Sequence, residues 1–257
     1  MDEQPIQTTE TAKKISASSL LVPVAIVIAG GLIASSLYMG RNIAPVAVVA
    51  NNQGQQNAPA QPAGSLEKMN PIGADDHVRG NPDAPVKIVE YTDPECPFCK
   101  RFHETMKQVM GEYGKDGKVA WVYRNFPLDQ LHPKARKEAV AVECAGAIGG
   151  KEMFWKYADR LYEITPSNNR LDPAELPNIA KYVGLDVSTF NTCLTSGKFD
   201  AHVEADIQNA VATGGNGTPW SVVIGVDGKK YPLSGAQPYE AVKRLIEVAL
   251  KSPSPSP

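Results

Sequence analysis

The chain has 257 residues, of which 42% are hydrophobic, and a formal net charge of −2. That is enough apolar material for the core of one large domain or two small ones. The near-neutral balance and the lack of a long basic run give no ground for a nucleic-acid partner. Four cysteines divide into a tight pair, Cys96 and Cys99, and a distant one, Cys144 and Cys193. This division suggests one reactive pair and one candidate structural bridge.

The first predicted element is a helix at the N-terminus. No residue between Lys14 and Arg41 is charged, and residues 15–39 contain a dense apolar run. At 1.5 Å per residue, about 20 helical residues cross a hydrocarbon core of roughly 30 Å. The pattern predicts a single transmembrane anchor over 15–39, with a buried soluble helix and a cleaved signal peptide as the rival readings. Lys13 and Lys14 place residues 1–14 in the cytoplasm by the positive-inside rule, and all that follows the anchor outside it. Residues 40–69, rich in Ala, Pro, Gln, Asn and Gly, read as a disordered linker, and 251–257 as a disordered tail.

Between them, residues 70–250 read as mixed α/β. Val86–Tyr91 predicts a strand, Phe98–Tyr113 a helix with apolar residues at helical spacing, and Val119–Tyr123 a second strand. Residues from Pro133 to about Ala212 carry helical patterning, broken at Gly149-Gly150, Thr165-Pro166 and Gly184. Strand character returns at Ser221–Val226 and Lys230–Leu233, and an amphipathic helix over Tyr239–Leu250 closes the domain. The order is that of a thioredoxin fold with a helical domain inserted at about 128–198.

The chemistry is predicted for Cys96-Pro97-Phe98-Cys99, between a strand and a helix. A sulfur at a helix N-terminus meets unpaired N–H groups and the positive end of the dipole, which favour the thiolate. Two intervening residues let Cys99 reach the same sulfur and resolve a mixed disulfide. Pro97 suits the first helical turn, where its missing N–H is no loss. The alternative is a zinc half-site with His103, but no second Cys-x-x-Cys or His pair follows. We therefore expect no metal and no cofactor beyond the Cys96–Cys99 disulfide itself. Cys144 and Cys193 are either free thiols or a bridge, and an oxidising compartment favours the bridge. Glu90 sits inside the apolar strand Val86–Tyr91, where a carboxylate is costly unless it has a task or a partner; an edge position paired with Lys87 is the other reading. His103 and Glu95 read as solvated helix-face and turn residues.

On these residues the chain resembles the DsbA-like thiol–disulfide oxidoreductases, particularly membrane-tethered bacterial ones. The resemblance covers roughly 75–250. It rests on Gly80–Pro85, on Glu90-Tyr-Thr-Asp-Pro-Glu-Cys-Pro-Phe-Cys99, on Glu143–Gly149 and on Gly217-Thr218-Pro219. The resemblance implies that Pro219 is a cis-proline beside the active site. Thr218 would then offer a backbone edge to an extended substrate, next to the contact residues Pro97 and Phe98. It further implies that Glu90 is a buried proton shuttle for Cys99 and that Cys144–Cys193 is structural. The implied activity is oxidation of reduced or unfolded secreted proteins outside the cytoplasm, with reoxidation by a membrane quinone-linked partner of the DsbB or VKOR type. A reductase or isomerase, and a non-catalytic thioredoxin-fold binding module, remain the alternatives.

Overall fold

A computed structural model describes residues 64–251. The expected anchor, the tail before it, the linker up to residue 63 and residues 252–257 lie outside the described residues. Among the described residues no helix is long and apolar enough to cross a membrane.

Five strands form one sheet in the order β1-β3-β2-β4-β5: β1 His77–Arg79, β2 Val86–Thr92, β3 Val119–Asn125, β4 Trp220–Ile224 and β5 Lys230–Ser234. β2 and β3 run parallel, joined through helix α1 (Pro97–Val109), while the other pairs are antiparallel. Every residue of β3 is buried, and all of β2 except Lys87. Strands covered on both faces explain why these stretches read as nearly continuous apolar runs. The edges are short: β1 has three residues, and β5 carries Pro232, which has no N–H to donate.

Because side chains alternate across a strand, the sheet feeds two cores. Val86, Ile88, Trp121 and Tyr123 face α1, α2 (Ala135–Ile164) and α6 (Tyr239–Lys251). Val89, Tyr91, Ala120 and Val122 face α5 (Asp200–Ala212). Glu90 lies two residues from Ile88 and therefore on the α1 side. The insertion consists of α2, α3 (Glu175–Tyr182) and α4 (Val187–Thr195). Gly150, at φ 72°, kinks α2 where the sequence predicts a break.

The structure corrects some boundaries. The linker does not extend to residue 69: Leu66–Lys68 form a turn of 3₁₀-helix, Ser65 N–H donates to Ala212 O, and Met69 is buried. Gly64 approaches Gly214 so closely that a Cβ would collide with its backbone at 2.2 Å. The first helix ends at Val109 and continues as one π turn, Met110–Gly114. β1 was not predicted, since three residues are too short for any periodicity to register.

Candidate active site

The end of β2 turns through Asp93-Pro94-Glu95 and delivers Cys96 to the start of α1. Cys96 is the N-cap, with extended φ −78° and ψ 122°, and Pro97 holds the first helical position. The Thr218–Pro219 peptide is cis and enters β4 beside it, with the Cys96 thiol donating to Thr218 O at 3.5 Å. Both motif thiols are reduced in this structure. Cys96 is 4% exposed and Cys99 fully buried.

That difference in placement separates their acidities. The hydrogen bond from Cys99 lowers the Cys96 thiol to about 6 against the cost of burial, helped by the Thr218 side chain and the N–H groups of Cys99 and Phe98. Burial pushes Cys99 well up, and the neighbouring Cys96 and Glu90 charges add to the rise. One thiol is therefore largely thiolate at neutral pH and able to act as a nucleophile, and the other holds its proton.

Glu90 is 1% exposed, not an edge residue paired with Lys87. Trp121 Nε1 donates to its Oε2 at 2.8 Å. Burial raises its carboxyl to about 7, against smaller opposing contributions from Thr92 and Trp121. Its charge is felt at Cys99, so the structure brings Glu90, Cys96, Cys99, Thr218 and Pro219 together. Phe98 points outward at 54% exposure, with the Arg101 guanidinium 5.2 Å from its ring centroid. It offers the Cys96 sulfur no side-chain donor.

A family profile described as Thioredoxin matches residues 73–248. The chain belongs to the thioredoxin family. Within that family its fold is of the DsbA type of thiol–disulfide oxidoreductase. It is similar to BdbD from Bacillus subtilis in its oxidised form, at 25% identity and a TM-score of 0.64, covering 74% of this chain and 99% of that one. It is also similar to DsbA2 of Pseudomonas aeruginosa, at 28% identity and a TM-score of 0.61, covering 71% and 98%. Among curated proteins it resembles a Na(+)/H(+) antiporter NhaA 1 of Mycolicibacterium gilvum, 35% identical over 177 residues. That match spans 68% of this chain but only 27% of the antiporter.

In this member of the thioredoxin family Cys144 and Cys193 form a disulfide that joins α2 to α4, with Cα atoms 5.8 Å apart. It lies in the insertion and not in the motif. Two expectations are corrected. His103 is 1% exposed, donates Nε2–H to Asp159 Oδ1 at 2.8 Å, and stacks on Tyr162. It follows Cys99 by four residues, one helical turn, so it falls beside that buried sulfur on the covered face of α1. Glu95 is fully buried as well, because backbone N–H groups of Asn169 and Leu171 converge on its carboxylate. Neither has metal-binding company: among the described residues no group of three or more His, Cys, Asp or Glu is arranged to hold a metal ion.

The sequence reading also missed the polar shell around the motif. Thr92 Oγ1 pairs with Tyr162 OH at 2.9 Å, and Asp93 Oδ2 accepts from His132 Nδ1 and Leu128 N–H, each at 2.8 Å. Tyr162 and His132 come from the insertion, far away in sequence. Only Asp93, three residues before the motif, lay close enough in sequence to carry a local signal.

Proposed function

We propose that the protein is an extracytoplasmic oxidase of protein thiols, tethered to the membrane by its N-terminal segment. The observation that carries this reading is the split between the two thiols, Cys96 lowered to about 6 and Cys99 raised. Whatever favours the Cys96 thiolate stabilises the reduced enzyme, since the disulfide has no thiolate to benefit. A lower pKa therefore accompanies a stronger oxidant.

In this reading a substrate thiolate attacks Cys96 Sγ of the oxidised pair, and the electron pair of the broken S–S bond leaves on Cys99. Glu90, neutral below about 7, supplies the proton that Cys99 needs. A second thiol of the substrate, as thiolate, attacks the substrate sulfur of the mixed disulfide and expels Cys96 as thiolate. The substrate loses two electrons and gains a disulfide; the enzyme holds the electrons as the Cys96 thiolate and the Cys99 thiol. A membrane quinone-linked reoxidase of the DsbB or VKOR type would then accept them. Reduced secreted proteins are the proposed substrates, paired as extended chain along Thr218 and flanked by Pro97, Phe98 and Pro219. Ion transport is not carried over from the antiporters, which this chain matches over about a quarter of their length.

A reductase or isomerase is the second reading, favoured by Phe98, whose side chain leaves the thiolate without one donor. The reduction potential of the Cys96–Cys99 pair measured against glutathione decides between them. We expect a value between about −270 and −120 mV, on the oxidising side of glutathione. A potential at or below the lower bound, with a Cys96 pKa near 8.5, would assign a reductase. Failure of a Cys99→Ser variant to trap any mixed disulfide through Cys96 would leave a binding module.

A further inference from the structure

Glu95 immediately precedes the nucleophile and is held from outside its own helix. Its N–H donates to Asp93 Oδ1 at 2.8 Å. Its carbonyl accepts from Asn168 N–H at 2.8 Å, its Oε2 from Asn169 N–H at 2.7 Å, and its Oε1 from Leu171 N–H at 3.3 Å. These three donors belong to the segment that follows α2. There Ser167, Asn168 and Asn169 have φ of 60°, 56° and 63°, three successive residues in the left-handed region that L side chains disfavour. On the other side of the motif, Lys100 Nζ donates to Thr165 O at 2.6 Å and Glu163 O at 3.1 Å. One segment of the insertion is thus fastened to the chain just before Cys96 and just after Cys99.

Among the described residues no cation forms an ion pair with the Glu95 carboxylate. Asp93 is occupied by Leu128 N–H and His132. The Lys134 ammonium donates to Leu171 O. Glu138 of α2 is buried against Glu95; burial, then the hydrogen bond to Glu95, pushes its carboxyl up to about 9, so it is neutral at pH 7.

We propose that Glu95 is the positioning residue of the nucleophile. The left-handed turn Ser167–Asn169 grips its carbonyl and carboxylate, and this fixes how the first turn of α1 presents the Cys96 sulfur to Thr218 and to the Phe98 and Cys99 N–H groups. The inference rests on Cys96 being the nucleophile. It gives the helical insertion a part in setting the reactivity of the pair.

A positioning role and a mere buried charge have opposite signs. Removing a negative charge near the sulfur lowers the Cys96 pKa; loosening the turn deprives the thiolate of aligned donors and raises it. The test compares Glu95→Gln with two substitutions at exposed Asn168, Asn168→Val and Asn168→Gly. Valine resists the left-handed conformation and glycine adopts it freely, while neither alters a charge. Titrating reduced enzyme by thiolate absorbance, we expect Glu95→Gln and Asn168→Val to raise the Cys96 pKa by about one unit, and their potentials to become less oxidising. Asn168→Gly should match the unsubstituted protein. A fall in pKa for Glu95→Gln, an unchanged value for Asn168→Val, or an equal rise for Asn168→Gly would overturn the proposal. If Glu95→Gln does not fold, the Asn168 pair decides alone. The potential of the unsubstituted protein tests the oxidase reading separately, because these differences between variants hold whichever direction the enzyme runs.

Discussion

At the scale of single residues, Glu90 makes the sharpest demands. Its folded-state carboxyl titrates near 7, against an ordinary 4.5. Between those values the folded protein keeps a proton that the unfolded chain has lost. Its favourable contribution is therefore complete below about pH 4.5 and fades as pH rises through about 7. Glu90→Gln, measured on reduced enzyme, should match the unsubstituted protein at low pH. The variant should become more stable by an amount on the order of 3 kcal/mol above pH 7. Denaturant midpoints across pH 4 to 8 check this. If Glu90 is the proton donor of the proposed mechanism, mixed-disulfide formation by oxidised enzyme should slow as pH rises through 7, where its carboxyl ionises. The glutamine variant should be slow and lack that inflection in stopped-flow traces. Cys96 carries the opposite sign, since its folded-state thiol is depressed. Its contribution is full above the ordinary thiol value and is lost as pH falls through about 6. Reduced enzyme should then gain on oxidised enzyme in stability from pH 6 to 9, and parallel denaturant curves measure that gap. The sequence made Cys96 and Cys99 legible because their chemistry depends on local spacing, and the family resemblance marked Pro219, whose peptide bond with Thr218 is cis. It did not reveal Glu95 or His103 as buried, because the groups that satisfy them, Asn169, Leu171 and Asp159, reach them only through the fold.

At the scale of elements, the helices and inner strands followed from patterns already in the chain. Gly150 and Gly184 broke the helical block where expected, and β2 and β3 appeared as apolar runs because both faces are covered. What escaped was set by pairing: β1 exists through its register with Trp121–Tyr123, and Leu66–Met69 are ordered through α5. The Cys144–Cys193 bridge lies among these elements, and by the loop-entropy account closing its 49-residue separation stabilises the fold by about 4 kcal/mol. Cys144→Ala with Cys193→Ala should lower unfolding free energy by up to that amount. It should leave the Cys96 pKa and the capture of mixed disulfides in place at matched folded population. Loss of exchange without loss of stability would make the second pair a redox partner of the first.

For the whole molecule, the proposed tether makes a claim that fractionation can check. The intact chain should remain with membranes after a carbonate wash, and a shortened soluble form alone would point to a cleaved leader. An enzyme so confined, with unfolded chains as its proposed clients, works where exposed strands are abundant and local concentration is high. Its sheet has two edges on which such strands could stack. The three-residue β1 is too short to template a growing ladder, and Pro232 interrupts the donor row of β5. In the proposed reading, backbone pairing with a client is thus left to the Thr218 edge, where contact ends in a chemical step. Pro232→Val would restore a continuous donor row, and we expect it to turn the protein into a seed for co-precipitation with reduced, unfolded chains, visible as light scattering when such chains refold in its presence.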